Sequence, residues 1–365
     1  MRVALDATPM LEAPSGIPTY CRELVTALVC HPALRDSPPH LVTFSVRGAA
    51  PRVPGTTRAL RRLPARALRL SWERSDVPRV EVVSGRCDVF HGTNFVSPPS
   101  RAAAVVTVHD LSFLTHPTTV RAASLGYDRL LRRAVSRGRL VVVCPSESVS
   151  NQVRETYRLP AEQVVTTPLA AAGDWSTAVP LGAAEAARIG LPERYLVFVG
   201  TAEPRKNLAV LLHAQAAATS EDRSHPVLVV VGGAGWGAAL GPGEGVLRLG
   251  RLAGDTLRSL VAGSLGLVLP SLDEGFGLPV LEAAAAGRPV AASDIPVLRE
   301  VAAPGTTFVA ASDVEAWADA LQRLAVGPDA HADRDLRRDH AGQWSWARCA
   351  DRTVDAYRLA ISLTG

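Results

Sequence analysis

Two glutamates eight positions apart, Glu274 and Glu282, frame the string Glu-Gly-Phe-Gly-Leu-Pro-Val-Leu-Glu. Carboxylates accept hydrogen bonds from neighbouring hydroxyls, the groups that a sugar presents. Gly275 and Gly277 allow backbone to come close to a ligand. A helix starting near Leu278 would aim its first amides at an anion, and Pro279 suits its first turn, where no N–H is needed. Taken alone, Glu282 reads equally well as a surface helix residue; the glycines, the proline and both acids together point to a ligand-binding turn. A second segment carries cations. Of the 39 lysines and arginines only Lys206 is lysine, and it stands in Gly-Thr-Ala-Glu-Pro-Arg-Lys-Asn, residues 200–207. An ammonium is a compact point charge and a guanidinium a planar fork. A chain that otherwise uses arginine throughout keeps the point charge here, which suits a diphosphate at a strand end.

Both segments need strands to place them. Short apolar runs alternate with helical patterns along the chain, the pattern of parallel sheets with crossover helices. Strands are expected at Val3–Ala7, Leu41–Val46, Asp88–His91, Val105–His109, Leu140–Cys144 and Val164–Leu169. Helices are expected at 17–30, 122–135 and 146–157, the last capped by Ser146. Residues 170–192 are rich in Ala, Gly and Pro and mark a boundary near 170–175. A second series follows, with strands at Tyr195–Gly200, Val227–Val231, Val246–Leu249, Leu265–Leu269, Val290–Ala292 and Thr307–Val309, and helices at 208–218 and 347–363. The expected organisation is α/β. Residues 1–170 and 171–345 form two Rossmann-like domains across a cleft, and 346–365 form a closing helix. Ligands in such sheets sit at the carboxyl ends of strands, where both segments fall.

Bulk properties narrow the function classes. At 365 residues, 47% apolar and 20% charged, the chain can bury a large core. A net charge of +4 and 5% aromatics, with no basic block interleaved with aromatics, argue against a nucleic-acid partner. Five cysteines without C-x-x-C spacing suggest a reducing cytosol and no structural metal. No stretch approaches the ~18 apolar residues of a membrane span, and no secretory leader is seen, so a cytoplasmic location is expected. Arg52–Arg79 holds eight arginines with Leu60, Leu63, Leu68, Leu70 and Trp72 between them. That stretch offers peripheral contact with an anionic membrane, or a solvated face of an arginine-rich chain.

The E-x7-E string resembles the signature of family 4 glycosyltransferases of the GT-B fold. Gly200–Asn207 is similar to their strand-end loop, Val106–Ser112 (Val-Thr-Val-His-Asp-Leu-Ser) to their V-H-D-L segment, and Gly232–Trp236 to a further loop. Pro270–Val301 matches nearly throughout, and the P-R-K-N run resembles the bacterial mannosyltransferase, or group 1, branch. The likeness is thinnest at about 47–85 and 325–345.

The resemblance implies a retaining, metal-independent hexosyltransferase that needs no cofactor beyond its nucleotide-sugar donor. GDP-mannose is favoured over UDP-glucose and UDP-GlcNAc. The acceptor is a hydroxyl on a saccharide, a lipid carrier or a small molecule. By position, Arg205 and Lys206 would contact the diphosphate, Glu282 the ribose and Glu274 the donor sugar. Gly200, Gly275, Phe276, Gly277 and Leu278 would line the donor site. Gly16 would approach the phosphates, although Ser15 replaces a glycine usual before it. His109 would hydrogen-bond the sugar; Asp110 would orient His109 or a neighbouring loop, and Gly233 is a secondary donor contact. The catalytic set is His109, Arg205, Lys206 and Glu274. His91 and His116 are read as structural, and Asp333-Arg334-Asp335 as a solvated helix face rather than a metal site. Two other readings keep the fold: a nucleotide-sugar epimerase or phosphorylase-like enzyme, and a non-catalytic nucleotide-sugar-binding subunit.

Overall fold

The computed structural model describes residues 1–46, 48, 51–59, 64–236, 243–326 and 331–364. The chain divides into two compact units. The first comprises Met1–Pro117, Arg121–Leu169 and Ser345–Gly365; the second comprises Thr118–Val120 and Ala170–Trp344.

The first unit is built on seven parallel strands: β1 (Val3–Asp6), β2 (His40–Val42), β3 (Thr57–Arg58), β4 (Val89–Gly92), β5 (Ala103–Thr107), β6 (Leu140–Cys144) and β7 (Val164–Thr166). Their order is β3-β2-β1-β4-β5-β6-β7. β1 and β6 are buried at every residue, as expected where helices cover both faces of a parallel sheet. The second unit has six parallel strands: β8 (Tyr195–Val199), β9 (Val227–Val231), β10 (Val246–Gly250), β11 (Leu267–Leu269), β12 (Val290–Ser293) and β13 (Thr307–Val309). Their order is β10-β9-β8-β11-β12-β13.

Most expected elements appear within a residue or two, and the departures have local causes. The expected strand 41–46 ends at Val42, because Phe44 N leaves the ladder and donates to Thr8 Oγ1 at 2.9 Å. The single helix expected over 122–135 is a 3-10 turn at Ala122–Ser124 followed by a helix at Tyr127–Ser136; Gly126 stands between them as the N-cap. Ser146 caps the Glu147–Tyr157 helix by accepting from Val149 N. The last helix, Trp346–Ser362, belongs to the first unit. It buries Cys349, Ala350, Thr353, Val354, Ala356, Tyr357 and Ala360, a stripe at helical spacing. Tyr357 OH reaches His91 Nδ1 at 2.8 Å, and His91 Nε2 reaches Thr107 Oγ1 at 2.8 Å. Burial drives the His91 pKa down to about 3, so this histidine is a neutral link between helix and sheet.

Of the basic stretch 52–79, Leu60, Arg61, Arg62 and Leu63 lie outside the described residues. Pro64 is the N-cap of a helix at Ala65–Trp72. All five cysteines are free, and among the described residues no group of three metal-ligating side chains is found. No described helix is long and apolar enough to cross a membrane.

Candidate functional site

The carboxyl ends of β8 and β11 bring the two sequence segments together in the second unit. After β8, a short 3-10 turn, Pro204–Lys206, precedes the Leu208–Glu221 helix. Asn207 joins them in the left-handed region (φ 52°) and donates to Pro270 O at 3.2 Å and Ala311 O at 2.7 Å. Leu272 N bonds Arg205 O at 2.9 Å, tying this turn to the loop after β11. The ties fix Lys206 and Glu274 against each other: Lys206 Nζ is 2.5 Å from Glu274 Oε1. Ser271 Oγ donates to the same oxygen at 2.6 Å.

Glu274 is buried. Desolvation pushes its pKa up, but the charges of Lys206 and Arg205 and the hydrogen bonds from Lys206 and Ser271 outweigh that. The carboxyl is held below its ordinary value and is ionised at neutral pH. An ammonium has three donors, so one bond to Glu274 leaves Lys206 two for a ligand. Arg205 is more fully engaged. It donates to Asp273 O at 2.6 Å, to Glu203 Oε1 at 2.9 Å and to Glu274 Oε2 at 3.5 Å. Its fork braces the two loops, whereas Lys206 carries the ligand-ready charge.

Glu282 lies one turn into the Leu278–Ala285 helix and is only partly buried. Desolvation raises its pKa to about 7, against a lowering pull from Arg258. Gly277 is the N-cap at φ 89°, no side chain caps the helix, and Pro279 sits in its first turn. The Phe276 side chain is buried edge-on against Trp344 with ring centroids 5.3 Å apart, so only its backbone is offered to a ligand. The glycine loop after β9 has a packing reason of its own. A Cβ on Gly232 would fall 1.9 Å from Gly200 O, and one on Gly235 1.9 Å from Ala202 O. Gly233 N–Cα backbone lies under the Arg251 guanidinium, 3.0 Å from where its Cβ would be. Gly200 backs onto Phe198 and the Lys206 stem.

In the first unit, His109 lies just past the carboxyl end of β5 and is buried. Its Nε2 lies 2.9 Å from Thr93 O. A carbonyl only accepts, so Nε2 carries the proton and Nδ1 is the acceptor. The rings of Tyr20 (4.9 Å) and Phe95 (5.5 Å) meet it edge-on. Desolvation lowers its pKa to about 4 despite the Thr93 carbonyl and Asp110. Asp110 accepts from Ser112 N at 3.0 Å, so it shapes the following loop. Gly16 opens the Gly16–Cys30 helix with nothing within 4 Å of a Cβ placed there. Ser15 is at the N-cap, but its side chain makes no capping bond.

Sequence reasoning did not single out Glu203, Ser271, Thr93, Phe95 or Tyr20. Thr93 joins His109 to β1, since its hydroxyl donates to Asp6 O at 2.6 Å. Its signal was the His-Gly-Thr-Asn run at the end of β4, where a Cβ on Gly92 would be 1.8 Å from Val96 O. Phe95 has φ 59°, a strained geometry for a bulky residue.

Two parallel-sheet units, one of which sets Lys206 against an ionised Glu274 at its strand ends, form an α/β scaffold with a fixed charged corner. Comparison with known proteins makes the class specific. A family model described as Glycosyltransferase Family 4 matches residues 14–170, and one described as Glycosyl transferases group 1 matches 193–326. O-antigen chain mannosyltransferase B of Escherichia coli is 32% identical over 286 residues, 74% of each chain. O-antigen chain mannosyltransferase RfbU of Salmonella typhimurium is 26% identical over 62% of each. Sucrose-phosphate synthase of Thermosynechococcus elongatus superposes with a TM-score of 0.71 at 20% identity, over 98% of each chain. The chain belongs to the family 4, group 1 glycosyltransferases, has the GT-B fold and is a glycosyltransferase enzyme.

Proposed function

We propose that this enzyme transfers a mannosyl residue from GDP-mannose to a hydroxyl acceptor, with retention at the anomeric carbon and without a metal ion. The observation that carries the reading is the Lys206–Glu274 pair. A buried carboxylate, itself held by Ser271, fixes the ammonium at the end of β8, where two of its donors remain for a diphosphate. Pre-organised charge of this kind stabilises the leaving group as its negative charge grows, a large term in transfer reactions. The same cation stands in for a metal. Glu282 would accept from the ribose hydroxyls, Glu274 from the sugar, and the amides of Gly275, Phe276, Gly277 and Leu278 would line the phosphates. Gly16 would let the first unit's backbone approach the phosphates, and His109 Nδ1 would accept from a sugar hydroxyl.

In the proposed front-face step the bond between the anomeric carbon and the diphosphate oxygen breaks. The acceptor oxygen bonds to the same face, and the acceptor proton passes to the leaving diphosphate oxygen. The protein supplies position and charge. Residues 171–345 would hold the donor, and 1–170 with the final helix the acceptor. The mannosyltransferase names of two relatives favour mannose.

Calorimetry with GDP, GDP-mannose, UDP, UDP-glucose and UDP-GlcNAc in EDTA tests the donor. The guanine compounds are expected to bind at least tenfold more tightly. Tighter uridine binding would reassign the donor, and binding that appears only after Mg²⁺ is restored would overturn the metal-free mechanism.

A further inference from the structure

A cavity of about 400 Å³ opens at the amino-terminal edge of β5 and β6, the edge opposite His109. Arg79, Arg101, Arg137 and Arg139 line it. Arg101 stands two residues before β5, and Arg139 directly precedes β6. Strands of this length separate the two edges by about 15 Å.

Among the described residues, the charges around the cavity do not balance. Asp76 is shared between Arg133 and Arg137, each at 3.2 Å. Glu81 Oε1 accepts from Ser100 Oγ at 2.8 Å and from the amides of Arg101 (2.5 Å) and Ala102 (3.2 Å). Among the described residues, Arg79, Arg101 and Arg139 have no ion-pair partner. Arg133 Nε is buried without an acceptor. The carboxyl end of the Tyr127–Ser136 helix explains cations at 133 and 137. It does not explain those at 79 and 101, which come from two other segments, or Arg139, which lies beyond the helix at the start of β6. Convergent guanidiniums match the oxygens of a phosphate through paired N–H donors.

We propose that this cavity is a phosphate-binding site, distinct from the donor site, that takes a phosphomonoester or diphosphate group. The group comes either from a soluble anion or from the headgroup of an anionic lipid. Val77 and Val82 flank the arginine segment and are 63% and 51% exposed, which suits the second source.

Pyrophosphate titrated by calorimetry into the Lys206→Ala protein isolates this site from the donor loop. The same titration into Lys206→Ala carrying Arg101→Gln and Arg139→Gln is expected to lose at least tenfold in affinity. Arg101→Gln/Arg139→Gln in the otherwise unaltered protein should keep full donor binding, which shows that the fold is intact. Phosphatidic acid vesicles, whose headgroup is a phosphomonoester, then separate the sources. Sedimentation of wild type, lost in the double variant, identifies a lipid headgroup; pyrophosphate binding without sedimentation identifies a soluble anion. Equal pyrophosphate affinity with and without the two substitutions, together with equal vesicle binding, would overturn the proposal. So would no binding to either probe.

Discussion

His109, past the end of β5, and Lys206, past the end of β8, each follow the carboxyl end of a parallel strand, yet their surroundings are opposite. His109 is enclosed by Tyr20, Phe95 and a backbone carbonyl, and burial keeps it neutral. Lys206 is held by an ionised Glu274, which two cations and a serine keep charged against the cost of burial. One corner offers a neutral acceptor with apolar walls, fit for a hydroxyl-bearing ring. The other offers fixed charge, fit for phosphate. The carboxyl end of a parallel strand therefore sets location in both units, and the neighbouring side chains set chemistry.

The contrast breaks most severely at Lys206. Replacing it by Ala should lower the transfer rate by about 10²–10³, the scale of removing one pre-organised donor from a developing charge. Steady-state turnover at saturating donor checks this. Glu274→Ala should cost about 3 kcal/mol of stability, because it strands Lys206 beside Arg205, which keeps Glu203; Lys206 is 13% exposed, which limits the loss. Urea unfolding reads that loss, and unchanged stability would mean that the pair is incidental.

Glycines sharpen the contrast at a smaller scale. Gly235→Ala should cost about 2 kcal/mol, since φ 68° is unfavourable for alanine and the new Cβ meets Ala202 O. Gly16→Ala meets nothing and should leave the melting temperature unchanged or slightly higher. If donor affinity also stays unchanged in Gly16→Ala, the phosphate approach assigned to that helix start is wrong.

The smallest effect concerns pH. Glu282 has a folded pKa near 7, above its ordinary 4.5. Its contribution to stability is therefore complete below about 4.5 and lost as pH rises through 7. As a hydroxyl acceptor it works best ionised, so nucleotide affinity should rise a few-fold across pH 6–8. Glu282→Gln should flatten that rise. His109, at about 4, should add no step near 6.5 to the same profile.

The sequence made the strands legible because buried parallel strands are continuous apolar runs, as in Val227–Val231. The loop after β11 was legible because glycine, proline and acids constrain backbone locally. The E-x7-E spacing did not reveal that Glu274 and Glu282 differ electrostatically. That difference arises from Lys206, 68 residues before Glu274, and from local burial. Nor did it show that Arg205 braces loops through Glu203 and Asp273 O, or that Thr93 holds His109. These contacts join segments distant in sequence, and a strand-end threonine carries little local signal. The unequal arginines at the amino-terminal edge of β5 and β6 were hidden for the same reason.

The most direct measurement is a paired titration of GDP and GDP-mannose into wild type, Lys206→Ala and His109→Ala. Lys206→Ala should weaken both ligands by a similar factor, because both carry the diphosphate. His109→Ala should weaken only GDP-mannose, because only it carries the sugar. Equal GDP affinity in wild type and Lys206→Ala would contradict the assignment of the charged corner to phosphate, and with it the account of how this transferase holds its donor.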